Sequence, residues 1–517
     1  MNETVKERLK SLRDALLAFS LANLCFITTR HALFYNEQFQ YYKNLPLNRQ
    51  VLLGLALNLI LLGFVTWRLT RWVRRAQSRL LYRVACVVAF GLFAIPVDFF
   101  RTHFLHTQGG RALMDWGTNP LVIVGSLIVL FAVWHWPRFV LRAIGVVLTV
   151  LLPSVFLTFG KIGYYLLKTR PEAPPQLAAL FHTPTPSVEP RVVWIIYDEL
   201  DQRLAFSNRP KDCPLPELDR VRGESLQATN AFPPEGSTAT SLPALITGRY
   251  VIDAKPASRS ELSITYANTN APVGWSTQPT VFSRARELGF NTALVGWFHP
   301  YSRLFPSSLN FCAWYPYEPY QLVRAKTVLG SMINQIWSLA PVLQQRREHI
   351  DFYQKSLNKA RSVVKDGRYG LVFLHLPGPH YPGIYNPGKG TFTLTSFSRT
   401  RGYFQNLQLT DKAMGILRRD MEQDGLWDRT WVIISADHWW REARDYDGRL
   451  DHRVPFILKA PGKNPPMIYG AFLNTVVTQD LVLAILRKEI STLPDAVAWL
   501  DTHKAPPSPS YDIMQTK

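Results

Sequence analysis

The chain has 517 residues, 47% of them hydrophobic, and its 58 Lys and Arg against 38 Asp and Glu give a formal net charge of +20. That length holds a membrane part with one large globular domain, or several small domains. Its 4 cysteines exclude a disulfide-built scaffold, and no zinc-finger spacing or RNA-binding motif supports nucleic acid as the partner of the excess positive charge.

In chain order, the first third carries the apolar stretches Ala15–Thr29, Val51–Trp67, Val84–Val97, Pro120–Trp136 and Ala143–Gly160. A helical bilayer crossing takes ~20 residues, so residues 1–160 are expected to form a five-span transmembrane domain. The first stretch is closed by Arg30. Its mixed acidic and basic flank and the lack of a small-residue cleavage site favour a retained helix over a signal peptide. Basic residues then set the orientation. Lys6, Arg8, Lys10 and Arg13 precede the first span. Arg68, Arg71, Arg74, Arg75, Arg79 and Arg83 lie between the second and third, and Arg138 and Arg142 between the fourth and fifth. All belong on the cytoplasmic side, which sends the C-terminal domain outside. Much of the positive charge is thereby explained by topology, and basic residues on the outer domain would favour anionic lipid headgroups.

Residues 161–190 read as an interfacial linker, with Tyr164, Tyr165 and Lys168 as anchors and Pro171, Pro174, Pro175, Pro184 and Pro186 as its stiff part. A domain over 191–500 follows. "RVVWIIYDELD" is an apolar strand ending in acids, as a buried parallel strand reads when its C-terminal end opens onto a site. "TVFSRARELGFNTALVGW" reads as helix, Gly turn and strand, and "YGLVFLHLPGPHYP" as a strand entering a Pro/Gly loop. "LQLTDKAMGILRRDMEQDGLWDRTWVIISADHWW" is a long helix followed by a strand, "HRVPFILKAPG" a core strand, and "TQDLVLAILRKEI" a helix. Such alternation predicts an α/β sandwich with a largely parallel or mixed sheet. The Pro- and Ser-rich residues 501–517 are expected to be disordered. Cys25 and Cys86 fall in spans. Cys213 and Cys312 share the outer domain, where an oxidising compartment would allow a disulfide.

Polar groups gather at the strand ends. Asp198 and Glu199 follow one strand, Asp437 and His438 another, and His299, His380 and His452 flank others. Thr238 lies in "GSTATSLPALITG". Taken singly, an Asp after a strand is often a helix cap, a lone His is more often structural, and a Ser/Thr cluster is a natural N-cap. Together, carboxylate and imidazole suit a divalent metal such as Zn²⁺, which would activate a hydroxyl at Thr238 and polarise a phosphoryl oxygen.

Residues 190–495 resemble the sulfatase/alkaline phosphatase superfamily. "LITG" matches the end of the sulfatase signature, whose nucleophile stands nine residues before its Thr, and that count lands on Thr238. "TVFSRARELGFNTALVGWFH" is similar to the segment ending in Gly-Lys-Trp-His, and "ADH" to the metal-binding Asp-His pair. Sulfatases need a Cys or Ser at position 238 for oxidation to formylglycine, and Thr cannot give that aldehyde. Thr240 and Leu242 replace the signature's Pro and Arg, and Trp297 replaces its Lys. "STATSLP" instead resembles inner-membrane phosphoethanolamine transferases, where the first Thr carries a phospho-intermediate. These and the lipoteichoic acid synthases place five spans before an outer catalytic domain, and His375 and His380 reproduce their His-x-x-x-x-His spacing.

The resemblance implies Asp198, Thr238, Asp437 and His438 as metal ligands, with Glu199 sharing or taking the role of Asp198, because those transferases usually have Glu there. It implies His380, His452 and His299 as catalytic or substrate-side groups beside the nucleophile Thr238. The Ser and Thr around it would shape the turn, with Ser241 starting the helix. "HWWREARD" departs from the Gly-rich sequence that usually follows the Asp-His pair and would alter the donor or acceptor pocket. The implied cofactor is Zn²⁺, with Mn²⁺, Mg²⁺ or Ca²⁺ as alternatives. The implied partners are a membrane phospholipid donor and an envelope glycolipid or glycan acceptor, at a bacterial inner membrane with the catalytic domain periplasmic. A sulfatase-like hydrolase or phosphodiesterase is the competing activity, and a non-catalytic lipid-sensing relative the reading outside catalysis.

Overall fold

A computed structural model describes residues 3–34, 39–42, 48–76, 78–104, 120–168, 175–181, 189–269, 271–316 and 327–510. The chain divides into two compact units. The first, helical unit comprises residues up to 37, 45–172 and 319–348. Its main helices are α1 (Glu3–Cys25), α2 (Ile27–Phe34), α4 (Arg49–Arg75), α5 (Arg79–Phe104), α6 (Pro120–His135), α7 (Pro137–Val150) and α8 (Pro153–Lys168). The short helix α3 (Phe39–Tyr42) belongs to the second unit.

Among the described residues, two helices, Arg49–Arg75 and Arg79–Pro96, are long and apolar enough to cross a membrane. They become three if Val124–His135 and Pro137–Val150, bent by 98° at their junction, are one broken span. This falls short of the five spans expected. The charged N-terminal turns of α1 dilute its apolar length. The last expected span, Ala143–Gly160, is split between α7 and α8 just before Pro153, which has no N–H to continue the helix.

Leu21, Leu24, Leu52, Leu55, Leu59, Ile144, Leu148 and Ile162 form the apolar core of this unit. Polar ties cross it: Arg30 Nη1 donates to Thr158 Oγ1 at 3.0 Å, and Arg74 pairs with Asp14. A helix far along the chain, Val328–Ile336, packs on α4. There Asn58 Nδ2 donates to the Met332 carbonyl at 3.0 Å and Gln335 Nε2 to the Val51 carbonyl at 2.9 Å. The expected block 191–500 is therefore not continuous, since 319–348 counts with the helices.

The second unit is built on an eight-stranded sheet. Its strands are β1 (Arg191–Tyr197), β2 (Leu226–Ala228), β3 (Asn291–Trp297), β4 (Phe311–Tyr315), β5 (Tyr369–Leu376), β6 (Thr430–Ser435), β7 (Phe456–Lys459) and β8 (Met467–Tyr469). The spatial order is β8-β2-β7-β6-β1-β5-β3-β4. β1 is parallel to β6 on one side and to β5 on the other, whereas β7 runs antiparallel to both of its neighbours. All residues of β1 are buried, which explains its unbroken apolar run. Alternate residues serve opposite faces: Val192, Trp194 and Ile196 enter one core, Val193, Ile195 and Tyr197 the other. Arg191 begins β1 as a buried cation, and its guanidinium donates to the Tyr369 and Val364 carbonyls and to Thr430 Oγ1. Burial lowers its pKa to about 10.

All four cysteines are free. Cys213 lies in one core, and Cys312 packs against the core on the opposite face, so no disulfide joins them. The tail also departs from the expected disorder. Residues 501–502 complete the helix Leu493–Thr502, and the chain then crosses the unit surface. The Tyr250 hydroxyl meets the Pro506 carbonyl, while Ser508 and Ser510 both donate to Glu235 Oε1. Residues 511–517 lie outside the described residues.

Candidate active site

Sheet register assembles the site. Ile196 of β1 stands opposite His375 of β5 and Ser435 of β6. The next residues along β1 and β6 therefore carry Asp198 and Asp437 past the same C-terminal edge of the sheet, where parallel α/β folds place their ligands. Asp198 is held there by its N–H on the Leu376 carbonyl at 3.0 Å. Glu199 turns the chain sharply, with φ at 63°, a left-handed conformation in which a side chain is strained.

Thr238 arrives on the helix α9 (Thr238–Thr247), whose N-cap is Ser237; the Ser237 side chain accepts from the Ala239 N–H at 3.3 Å. The helix thus starts at Thr238 rather than at the expected Ser241. Ser241 instead reaches back one turn later, donating to the Asp437 carbonyl at 2.5 Å and pinning α9 to the end of β6. Gly236 is required before the cap, since a Cβ there would lie 2.8 Å from Cη2 of Trp439.

Thr238 Oγ1 lies 3.4 Å from Asp198 Oδ2 and 3.3 Å from His438 Nε2. His438 Nδ1 bonds the Trp439 carbonyl at 2.8 Å. That bond places the ring proton on Nδ1 and leaves the Nε2 lone pair facing the cluster. His438 Nε2 is also 3.8 Å from Asp198 Oδ1 and 3.5 Å from Asp437 Oδ2, and His375 Nε2 is 3.7 Å from Asp198 Oδ2. Ligand atoms of Asp198, His375 and Asp437 all lie within 4.8 Å of one another, as do those of Asp198, Glu199 and His380. Asp198 Oδ1 and Asp437 Oδ2 are buried and have no hydrogen-bond partner. Such orphaned carboxylate oxygens are costly, and together with the His438 Nε2 lone pair they fit a divalent cation.

Burial pushes the Asp198 carboxyl up, but the imidazoles of His380, His375 and His438 outweigh it and hold the group below the usual carboxylate range. Its neighbour goes the other way. Burial, reinforced by the Glu442 carboxylate, raises Glu199 to about 8 against the pull of His438 and Arg441. The Glu199 carboxylate turns toward Arg441, with Oε1 3.3 Å from Nη2.

The remaining predicted histidines occupy different places. His380 is buried, its Nδ1 on the Tyr381 carbonyl at 2.5 Å and its ring edge-on to Trp297. His299 is fully buried behind the nucleophile, its Nε2 3.4 Å from the Thr238 carbonyl. Burial, then His375, lowers its pKa to about 3. His452 is half-buried against Trp439, ring centroids 4.2 Å apart.

Two contributors escaped the sequence assignment. His375 was visible in the His pair, but only its register opposite Ile196 brings it to Asp198. Tyr41 had no local signal at all; its hydroxyl lies 2.9 Å from His299 Nδ1 across 258 residues of sequence.

This chain belongs to the sulfatase family, whose model matches residues 190–487, more than half of its length. Two curated relatives agree. An ulvan-active sulfatase from Formosa agariphila is 26% identical over 161 residues, 26% of this chain and 31% of the relative. An arylsulfatase from Hemicentrotus pulcherrimus is 20% identical over 339 residues, 60% of each. The chain thus spans less than two thirds of either. Among solved structures, the phosphonate monoester hydrolase of Silicibacter pomeroyi is 13% identical, covering 61% of this chain and 77% of that one, with a TM-score of 0.39.

Proposed function

We propose that this enzyme is a membrane-anchored, metal-dependent phospho-headgroup transferase that works through a phosphothreonine at Thr238. One observation carries the reading: a threonine, which cannot become formylglycine, stands at the nucleophile position with its Oγ1 within 3.4 Å of Asp198 and 3.3 Å of His438. Asp198, Asp437, His438 and Thr238 would hold a divalent metal such as Zn²⁺, with His375 behind them, its Nε2 accepting from the Trp297 indole N–H at 3.1 Å. When bound, that ion supplies Lewis acidity and favours the alkoxide form of the threonine.

The protein's part is then defined. Thr238 Oγ1 attacks phosphorus of a phosphodiester headgroup, of the phosphoethanolamine or phosphoglycerol type, and the P–O bond to the lipid glycerol breaks. The hydroxyl proton has an acceptor in place, Asp198 Oδ2 at 3.4 Å, and the departing diacylglycerol oxygen takes up a proton. An acceptor hydroxyl, on an envelope glycolipid or glycan, next attacks the phosphothreonine and restores Thr238. The apolar helices of the first unit support a lipid donor, and with it a periplasmic catalytic side at a bacterial inner membrane.

A second reading, hydrolysis, is favoured by the sulfatase relatives, with water as the acceptor. Intact-mass analysis of the full-length protein incubated with phosphatidylethanolamine or phosphatidylglycerol tests both. A headgroup-phosphate adduct on Thr238 that persists until a hydroxyl acceptor is added supports transfer. Rapid release to water without acceptor supports hydrolysis, and no adduct under any condition overturns the phosphothreonine route.

A further inference from the structure

His299 has both ring nitrogens engaged. Nδ1 lies 2.9 Å from the Tyr41 hydroxyl, and Nε2 lies 3.4 Å from the Thr238 carbonyl. A carbonyl can only accept, so Nε2 must carry the proton for that contact to be favourable. Nδ1 is then a bare lone pair and needs a donor. The Tyr41 hydroxyl is the donor facing it. The reverse arrangement, with the proton on Nδ1, would aim a lone pair at the carbonyl.

Tyr41 is fixed for this task. It is fully buried, its carbonyl accepts from Arg303 Nη2 at 2.7 Å, and its ring meets Tyr42 and His299 edge-on. Burial, with Tyr42 and Tyr301 nearby, raises its pKa well above the ordinary phenol value, so the hydroxyl keeps its proton. His299 in turn is wedged against Trp275, with ring centroids 4.9 Å apart.

We propose that Tyr41, from the short helix Phe39–Tyr42 far upstream of the sulfatase-like sequence, is a positioning residue for catalysis: its hydroxyl fixes the His299 tautomer that clamps the backbone of Thr238. This rests on the reading of Thr238 as nucleophile. The clamp acts on the first residue of α9, so it sets where Oγ1 stands relative to Asp198 and His438. Binding of the substrate is left to other groups. Loss of the clamp therefore lowers turnover and leaves substrate affinity in place, since small misplacements of a nucleophile are expensive in rate.

The test uses the full-length protein in detergent, loaded with Zn²⁺, and bis(p-nitrophenyl) phosphate as the probe. Tyr41→Phe keeps the ring and removes the hydroxyl. It is expected to lower kcat by roughly tenfold or more with KM within about twofold, at unchanged metal content. His299→Gln presents an amide that donates with no tautomer to fix, so Tyr41→Phe is expected to add nothing in that background. Wild-type kcat in Tyr41→Phe, or full multiplication of the two effects, overturns the proposal. Melting the same four proteins gives a second reading. Coupled losses of Tm are expected, and additive losses overturn the Tyr41–His299 link whether or not the probe is cleaved. Thr238→Ala separates the two claims. If it stays active, the nucleophile assignment is wrong; if it is dead while Tyr41→Phe is normal, only the role of Tyr41 falls.

Discussion

At neutral pH a threonine hydroxyl is inert, and Thr238 differs from the other hydroxyls of its turn only in what its oxygen faces. Thr240 Oγ1 bonds the Ser237 carbonyl and Ser241 Oγ the Asp437 carbonyl, both spent on holding the backbone. Thr238→Ala should therefore abolish turnover, by roughly a thousandfold or more, with little change in Tm. Thr238→Ser should keep measurable activity, and Thr240→Ala should be mild in a steady-state assay. Asp437→Ala or His438→Ala should release bound metal, read by elemental analysis of protein purified beside the wild type; equal metal in all three would exclude the site. Gly236→Ala tests packing rather than chemistry. Its methyl would collide with the Trp439 ring 2.8 Å away, and overpacking of this kind costs about 1–3 kcal/mol, visible as a lower Tm. At this scale the sequence reveals chemistry that repeats a known order, such as Thr238 and the Asp-His pair. It hides residues recruited across the fold. His375 is visible in the sequence only as half of a His pair, and its place beside Asp198 comes from register; Tyr41 lies in a short segment with no motif of its own.

The elements were legible where hydrophobic pattern and burial agree. β1, β3, β5, β6 and β7 all fall where their apolar runs predict, because central strands must be apolar on both faces. Very short strands carry no such run: β2 and the edge strand β8 occupy only three residues each, and no apolar run marks them in the sequence. Helix Pro216–Arg222 shows another kind of support invisible in its own sequence. Its N-cap position is Leu215, which offers no oxygen, and the Asp411 carboxylate of helix Arg399–Gln423 accepts from the Leu218 N–H at 2.7 Å. Burial raises Asp411 to about 6, against the lowering effect of its backbone hydrogen bonds, where an unfolded chain has about 3.9. The folded state thus binds the proton more tightly. The contribution of this group is full below about pH 4 and is lost as pH rises through about 6. Denaturation of the full-length protein from pH 4 to 7 should show that loss, and Asp411→Asn should flatten it.

For the whole molecule, composition announced two kinds of unit, and the structure has two, but their boundaries do not follow the sequence blocks. Residues 319–348 count with the helices, and α3 counts with the sheet. Apolar length alone overstated the spans because it ignores where proline and charge break a helix. The orientation expected from the loop arginines predicts that a reporter fused after Pro186 is active outside the cytoplasm; activity confined to the cytoplasm would overturn that expectation. The last described residues bear on the chemistry as well. Glu235, three positions before Thr238, is buried and takes its hydroxyl partners from Ser508 and Ser510. Ending the chain at His503 should lower Tm and slow turnover together; an unchanged Tm and kcat would remove any role for the Glu235 contacts. Synthesis runs from the N-terminus onward, so the loop leading into the nucleophile acquires these partners only after Ser508 and Ser510 have left the ribosome. A nascent chain that has not yet reached Ser508 carries its threonine but lacks the contacts that finish the turn before it.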